Sequence, residues 1–411
     1  MLRNHKPSAH FVAPLAERSG PARRPAFNLR VFLRSVRLGT PQDFDVVMER
    51  VVCSFRERNP SHGRFEDLCP DTVLPETMEQ WRLARVDGEV VGGIQLVPRR
   101  FVAVREVRLP GMGLGNVFCY PPYRKHGLMS ALLERCIADM TQAGIGMCLL
   151  GGDRTRYGNY GWEHAGAERA LTLAAGVSRF EDRGSVSAVD LRVWNGDGGD
   201  LSRILSAYSA LPYRTERSVS ECGRVLRRPG QVVWICDRVD TGFGYASVRG
   251  GVIVEYGGAC AAAERLVTFL LQSGTWSVAL PPVDGETALE KLMLRHAQSY
   301  QVRPAGMIRI VSMRAILEAY RPLLMARLQA WTGGFAFRCS DTGETVRVSA
   351  ENGVLTIDDV ASDAVAVELS RRELAQLFFG PFSPDLGDGH RHSGIRRTFP
   401  LPFYCHSLAH V

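Results

Sequence analysis

Two consecutive prolines do more than any other feature to limit what this chain can fold into. Pro121 and Pro122 lack a backbone N–H and hold Tyr120 and Pro121 extended, so the apolar run Asn116–Tyr120 must stop there as a strand. A short basic turn follows, Tyr123-Arg124-Lys125-His126-Gly127. Leu128, Leu132, Leu133, Cys136, Ile137 and Met140 then recur at helical spacing, which predicts a helix beginning at the turn. Strand, basic glycine turn and helix N-terminus, in that order, make an anion site. The first N–H groups of a helix have no intrahelical acceptor, and the helix dipole is positive at that end. Gly127 lets a ligand approach the backbone.

Downstream, residues 144–161 read G-I-G-M-C-L-L-G-G-D-R-T-R-Y-G-N-Y-G. R-K-H-G-L-M after an extended strand resembles the acyl-CoA pyrophosphate loop of GCN5-related N-acetyltransferases, whose pattern is [RQ]-x-x-G-x-[GA]. Arg124 and Gly127 match its first two fixed positions, and Met129 departs from the last. R-Y-G-N-Y-G-W-E-H-A-G is similar to a narrower group, the enhanced intracellular survival acetyltransferases, in which a bulky residue often stands where Met129 does. The resemblance implies an α+β (α/β) chain of tandem acetyltransferase folds, the second degenerate, followed by a sterol-carrier-like α/β domain. It also implies a homo-oligomer, a hexamer in that group.

A chain of 411 residues is longer than one hydrophobic core usually serves, so two or three domains are expected. The expected boundaries are a basic leader at 1–34, an acetyl-CoA-binding domain at 35–175, a degenerate copy at 176–305 and a C-terminal domain at 306–411. A short strand and then a helix near Pro41 are expected, with Phe44, Val47, Met48 and Val51 on one face. Residues 54–80 carry no interpretable pattern. Asp87-Gly88 between apolar runs signals a hairpin from Trp81. Phe101–Leu109 reads as a further strand leading into the central one. G-x-G-x-G at Gly111–Gly115 precedes a strand rather than a helix, which excludes a dinucleotide loop.

After Gly166 the order restarts. Asp200 is placed to cap a helix at Leu201–Leu211. Strands at Val232–Cys236, Gly244–Arg249 and Val252–Tyr256 lead to helix Ala261–Leu271 and strand Trp276–Leu280. The turn before that helix, G-G-A-C-A-A-A-E-R, has no Arg-x-x-Gly, so its phosphate site is lost. From Met307 come a strand, a helix, and a meander with turns at Thr342-Gly343 and Asn352-Gly353. A helix at Arg371–Phe379 ends at Gly380. G-D-G-H-R-H-S-G at 387–394 reads as a loop rather than a metal site.

The net charge of +7 suggests no partner once divided. Residues 1–34 hold seven Lys/Arg against Glu17, a tail of +6, leaving the rest of the chain at +1. The body is near neutral, with no case for nucleic acid. The tail reads as an unstructured leader or an overextended start rather than a transit peptide. Ten cysteines without C-x-x-C or metal spacing suit a reducing cytoplasm, and no apolar run approaches a membrane span.

Acetyl transfer from a CoA thioester to an amine sets four tasks. Arg124, Lys125 and the N–H groups of His126, Gly127, Leu128 and Met129 would hold the pyrophosphate. The backbone of Val117, Phe118 and Cys119 would pair with the pantetheine amides like an added strand. A lysine-like amine has pKa about 10.4, so only roughly 1 in 2,500 molecules is neutral at pH 7, and a positioned base matters. The resemblance gives that role to the terminal carboxylate, here Val411, at the end of an apolar tail. Tyr157 matches the tyrosine that returns a proton to the thiolate; the two groups have reference pKa values of about 10 and 8.5. The expected enzyme is an acetyl-CoA-dependent N-acetyltransferase without metal. Its acceptor is a small-molecule or peptide amine of unread identity. The rival is a module that binds acyl-CoA or an apolar ligand without turnover.

Overall fold

The structure is a computed structural model that describes residues 36–57, 59–104, 106–176, 191–282, 287–361, 366–386 and 393–406. The basic leader, Val411 and most of the glycine-histidine loop lie outside the described residues.

In chain order, β1 (Arg37–Leu38) and α1 (Phe44–Arg56) precede three antiparallel strands, β2 (Trp81–Val86), β3 (Glu89–Ala103) and β4 (Val107–Cys119). The crossover α2 (Leu128–Gln142) leads to β5 (Met147–Leu150), a helical turn at Arg154–Tyr157, β6 (Glu163–Ala165) and β7 (Glu168–Leu173). Next come β8 (Leu191–Val193), α3 (Gly198–Ser209), β9 (Arg214–Thr215), α4 (Val219–Leu226), β10 (Val232–Arg238), β11 (Gly242–Arg249) and β12 (Val252–Gly258). Then follow α5 (Cys260–Gln272), β13 (Trp276–Leu280), α6 (Ala288–Arg295), β14 (Ala297–Arg303) and β15 (Gly306–Ile310). The last part holds α7 (Met313–Ala319), α8 (Arg321–Leu328), β16 (Gly333–Cys339), β17 (Thr345–Glu351), β18 (Val354–Asp359), β19 (Val367–Leu369), α9 (Arg371–Phe379) and α10 (Ser393–Thr398).

These strands form three sheets, ordered β1-β2-β3-β4-β5-β15-β6, β14-β7-β13-β12-β11-β10-β8 and β18-β17-β16-β19, with β9 added beside β3. The first two repeat one plan: antiparallel strands, then a helical crossover to a parallel neighbour, β4 to β5 and β12 to β13. They also trade edges. β7 precedes the second unit's helices yet pairs with β13 and β14, while β15 returns to the first sheet between β5 and β6. The strand expected to open the C-terminal unit therefore belongs to the first sheet.

Helix α2 shows why the first sheet holds together. It begins at Gly127, in the left-handed region with φ 78, and stops at Gly144, again left-handed with φ 64. Between them Leu128, Ala131, Leu132, Leu133, Cys136 and Met140 are buried against Ala84, Val91, Ile94 and Leu96 of β2 and β3. Arg82 pins the polar side to Asp139 at 2.8 Å. Truncating Leu132 to Ala would cost about 2–5 kcal/mol. Toward the opposite end of β4, Phe101, Leu109, Met147 and Ile308 share a core with Phe337 and Phe378 of the C-terminal unit.

Two local expectations change. Phe101–Leu109 is not one strand: Phe101–Ala103 ends β3, Val104 reverses the chain with φ 50, and Val107 begins β4. The cap of α3 is Asp197, which accepts from the Asp200 N–H at 2.9 Å, while the Asp200 carboxylate takes two hydrogen bonds from Arg192 at 2.5 and 2.6 Å.

Candidate functional site

The β4–β5 pairing is short. It joins Gly111 to Met147, Met112 to Cys148 and Gly113 to Leu149, and there it ends. β4 runs on for six residues, Leu114–Cys119, with no partner from β5, so the two strands splay. Within that free segment β4 bulges: Asn116 takes φ 52, and the register against β3 shifts between Gly93 and Gln95. A short polar chain holds the bulge. Asn116 Nδ2 donates to Gln95 Oε1 at 2.6 Å, and Gln95 Nε2 donates to the Thr72 carbonyl at 2.6 Å.

A cleft of about 460 Å³ opens at the end of the splay. Val117, Phe118 and Cys119 of β4 line one wall, and Arg124, Lys125, Gly127, Leu128 and Met129 line another. The structure thus brings eight of the expected residues around one space. Lys125 and Gly127 both have positive φ, 66 and 78, and among the described residues no side chain caps α2, so its first N–H groups can receive a ligand. Arg124 is held in place from two sides: Nε donates to the Cys119 carbonyl at 3.0 Å and Nη1 to Glu57 Oε2 at 2.6 Å. Cys119 is no ready nucleophile. Burial pushes its thiol up to about 11, despite the nearby charges of Arg124 and Arg156.

Residues 35–165 match the family model described as an acetyltransferase (GNAT) domain. This part of the chain is a GNAT domain.

Solved structures share the fold well beyond that domain. One is a conserved protein of unknown function from Enterococcus faecalis V583, described as a probable N-acyltransferase. It is 20% identical with a TM-score of 0.62, over 84% of this chain and 89% of that one. A GCN5-related N-acetyltransferase from Anabaena variabilis is 15% identical with a TM-score of 0.66, over 92% of this chain and 99% of that one. Eis1 from Mycobacterium abscessus is 13% identical with a TM-score of 0.60, over 90% of this chain and 96% of that one. At such identities the likeness shows the fold alone. No curated protein matches the sequence.

The remaining expected residues of the GNAT domain lie apart from the cleft lining. His126 is half-buried in the turn and does not line the cleft. Tyr157 is 6% exposed, on the turn that follows β5, with Trp162 edge-on at a ring separation of 6.3 Å. Its ring closes on Gly152, where a Cβ would come within 2.7 Å of it, so this glycine is required by space. Arg156, one residue earlier, does line the cleft. The tail is buried from Leu401 to His406 in the seam between the first two sheets. Phe403 packs on Phe101 and Phe379 at 5.3 and 5.6 Å, and Tyr404 Oη donates to the Ala279 carbonyl at 3.1 Å.

Sequence reasoning missed several residues here. Ser54, Phe55, Asn59 and His62 form the outer wall of the cleft, because α1 and the loop after it fold over the basic turn. They fall in or beside the stretch without an interpretable pattern, and Glu57 gave no signal either. Arg156 could have been found beside Tyr157 in the same motif. Ser130, whose hydroxyl lies 2.6 Å from Tyr160 Oη, could have been found one residue past the loop pattern.

Proposed function

We propose that the protein is an acetyl-CoA-dependent N-acetyltransferase that acetylates a primary amine by direct attack in a ternary complex. The observation that carries this reading is the coincidence of three features in one cleft: the unpaired end of β4, the uncapped N-terminus of α2, and the Arg124–Lys125 charge pair. An unpaired strand edge suits the amides of a pantetheine arm, and a helix N-terminus with a guanidinium suits a pyrophosphate. A buried thiol at Cys119 favours direct transfer over an acyl-enzyme.

In the reaction the amine nitrogen forms a bond to the thioester carbonyl carbon, and the C–S bond breaks. The proton lost from the ammonium passes to a base, for which the Val411 carboxylate is our candidate. Tyr157 gives its phenolic proton to the departing thiolate, and the second proton that the nitrogen loses as the amide forms passes through solvent to restore it. Its place beside Leu150 and Gly152, on the turn after β5, supports that assignment. The repeated plan of the second sheet supports a degenerate acetyltransferase fold. The four-stranded sheet with its helices suits the sterol-carrier-like unit. A small-molecule or peptide amine, a homo-oligomer and a cytoplasmic setting complete the proposal.

The test is thiol release from acetyl-CoA against a panel of amines. It compares wild type, Tyr157→Phe and a variant extended by one glycine after Val411. Release that falls by about 10²–10⁴-fold in Tyr157→Phe is the expected result. Loss on extension assigns the base to the terminal carboxylate, and survival removes Val411 from the mechanism. No release with any amine, while acetyl-CoA still binds, would contradict the enzyme and leave a binding module.

A further inference from the structure

Behind the turn that carries Tyr157 lies a second crevice, of about 340 Å³, which has no lining residue in common with the cleft. It sits between the first sheet and the C-terminal unit, walled by Gly158–Gly161, by Arg309 of β15 and by the start of α9. Its charge is unbalanced. Arg309 and Arg371 are only 9% and 5% exposed, yet among the described residues neither guanidinium is hydrogen-bonded to a carboxylate. Arg309 Nη1 donates to the Tyr160 carbonyl and Arg371 Nη1 to the Ile310 carbonyl, while Arg309 Nε is buried with no partner.

The acids nearby are already engaged. Glu163 is shared between Arg372 at 2.7 Å and Arg154 at 3.0 Å. Asp341 accepts the backbone N–H of Arg371 at 2.7 Å. Among the described residues, four guanidiniums (Arg154, Arg309, Arg371 and Arg372) therefore meet three carboxylates, Glu163, Asp341 and Glu344, the last facing Arg371, an excess of one positive charge. Burying charge without a partner is unfavourable, and Arg309 registers the strain. Burial, followed by repulsion from Arg371, lowers its pKa to about 10. An anion would offset that excess, and planar guanidiniums match phosphate oxygens in pairs.

We propose that this crevice binds a small phosphate or phosphomonoester, held by Arg309, Arg371 and Arg372 with Thr342 at its edge. The volume is at the lower end for small-molecule sites. The ligand bridges the GNAT domain and the C-terminal unit, so it would also fasten them together.

Isothermal titration of the full chain with inorganic phosphate, and separately with methyl phosphate, tests this at constant ionic strength. The proteins are wild type, Arg309→Met, Asn159→Glu and Arg124→Ala. Asn159 is exposed on the crevice wall, so its variant adds a carboxylate there without disturbing the core, even if Arg309→Met folds poorly. Saturable binding is expected, weakened by about tenfold or more in Arg309→Met and Asn159→Glu and unchanged in Arg124→Ala. Equal binding of both probes assigns the free ion, and a preference for the ester assigns an organic phosphate. Binding that survives Asn159→Glu but vanishes in Arg124→Ala would place the anion in the cleft and overturn the proposal. Absence of saturable binding for both probes would overturn it too. No step of this test involves acetyl transfer, so it stands or falls apart from the proposed reaction.

Discussion

The first and second sheets are two versions of one arrangement. In each, a parallel pair forms for only a few residues before the longer strand leaves that neighbour. β5 follows β4 only as far as Gly113, and β13 follows β12 only as far as Ile253. The difference lies in what joins that strand to its helix. Eight residues separate β4 from α2, including the prolines, Arg124, Lys125 and a left-handed Gly127. In the second sheet only Ala259 stands between β12 and α5, with no basic side chain. The splayed strand of the second sheet also carries a buried ion pair. Glu255 of β12 is fully buried in an ion pair with Arg217 at 2.6 Å and accepts from Tyr245 Oη at 3.0 Å. Burial alone would lower the Arg217 pKa, but the Glu255 carboxylate holds it well above the usual range. The strand geometry is thus a scaffold that tolerates a ligand loop in one sheet and a buried ion pair in the other.

Variants in the two sheets should fail in opposite ways. The largest effect is expected from Glu255→Gln, which strands the buried Arg217 charge. Thermal or urea unfolding should lose about 3–5 kcal/mol, with acetyl-CoA affinity of the folded fraction unchanged. A smaller effect, of opposite kind, belongs to Arg124→Ala. Loss of about 1.5–3 kcal/mol of charge-assisted binding should raise the acetyl-CoA Kd by roughly tenfold to a hundredfold, with little change in melting temperature. The smallest is Glu57→Gln. Its pair with Arg124 is about a third exposed on each side, so freeing the guanidinium should tighten acetyl-CoA by about 1 kcal/mol at most. If Glu57→Gln weakened binding, the pair would be a positioning contact rather than a competitor for the phosphates.

Legibility of the fold followed how local the determining signal was. Asp87-Gly88 and Asn352-Gly353 were readable as hairpin turns, and all four residues take positive φ, between 50 and 85. The ends of Arg371–Phe379 were readable because the helix stops at a glycine. The reversal at Val104 was hidden: F-V-A-V-R-E-V-R-L offers no Gly, Pro or Asn to mark a turn. The exchange of β7 and β15 was hidden as well. Periodicity says that a segment is a strand, not which sheet edge receives it. The basic turn of the cleft could be seen because its residues are contiguous. Glu57 and His62 could not, since only the packing of α1 brings them to the cleft. Arg309 and Arg371 stand far apart in sequence and meet only when β15 rejoins the first sheet.

If the proposed function holds, the loop before α2, and not its counterpart before α5, receives acetyl-CoA. Hydrogen exchange measured with and without acetyl-CoA reads both places in one experiment. Exchange should slow at Val117–Cys119 and Lys125–Ser130 and stay unchanged at Val254–Ala262. Protection centred on Val254–Ala262, or binding that leaves Lys125–Ser130 unchanged, would contradict it.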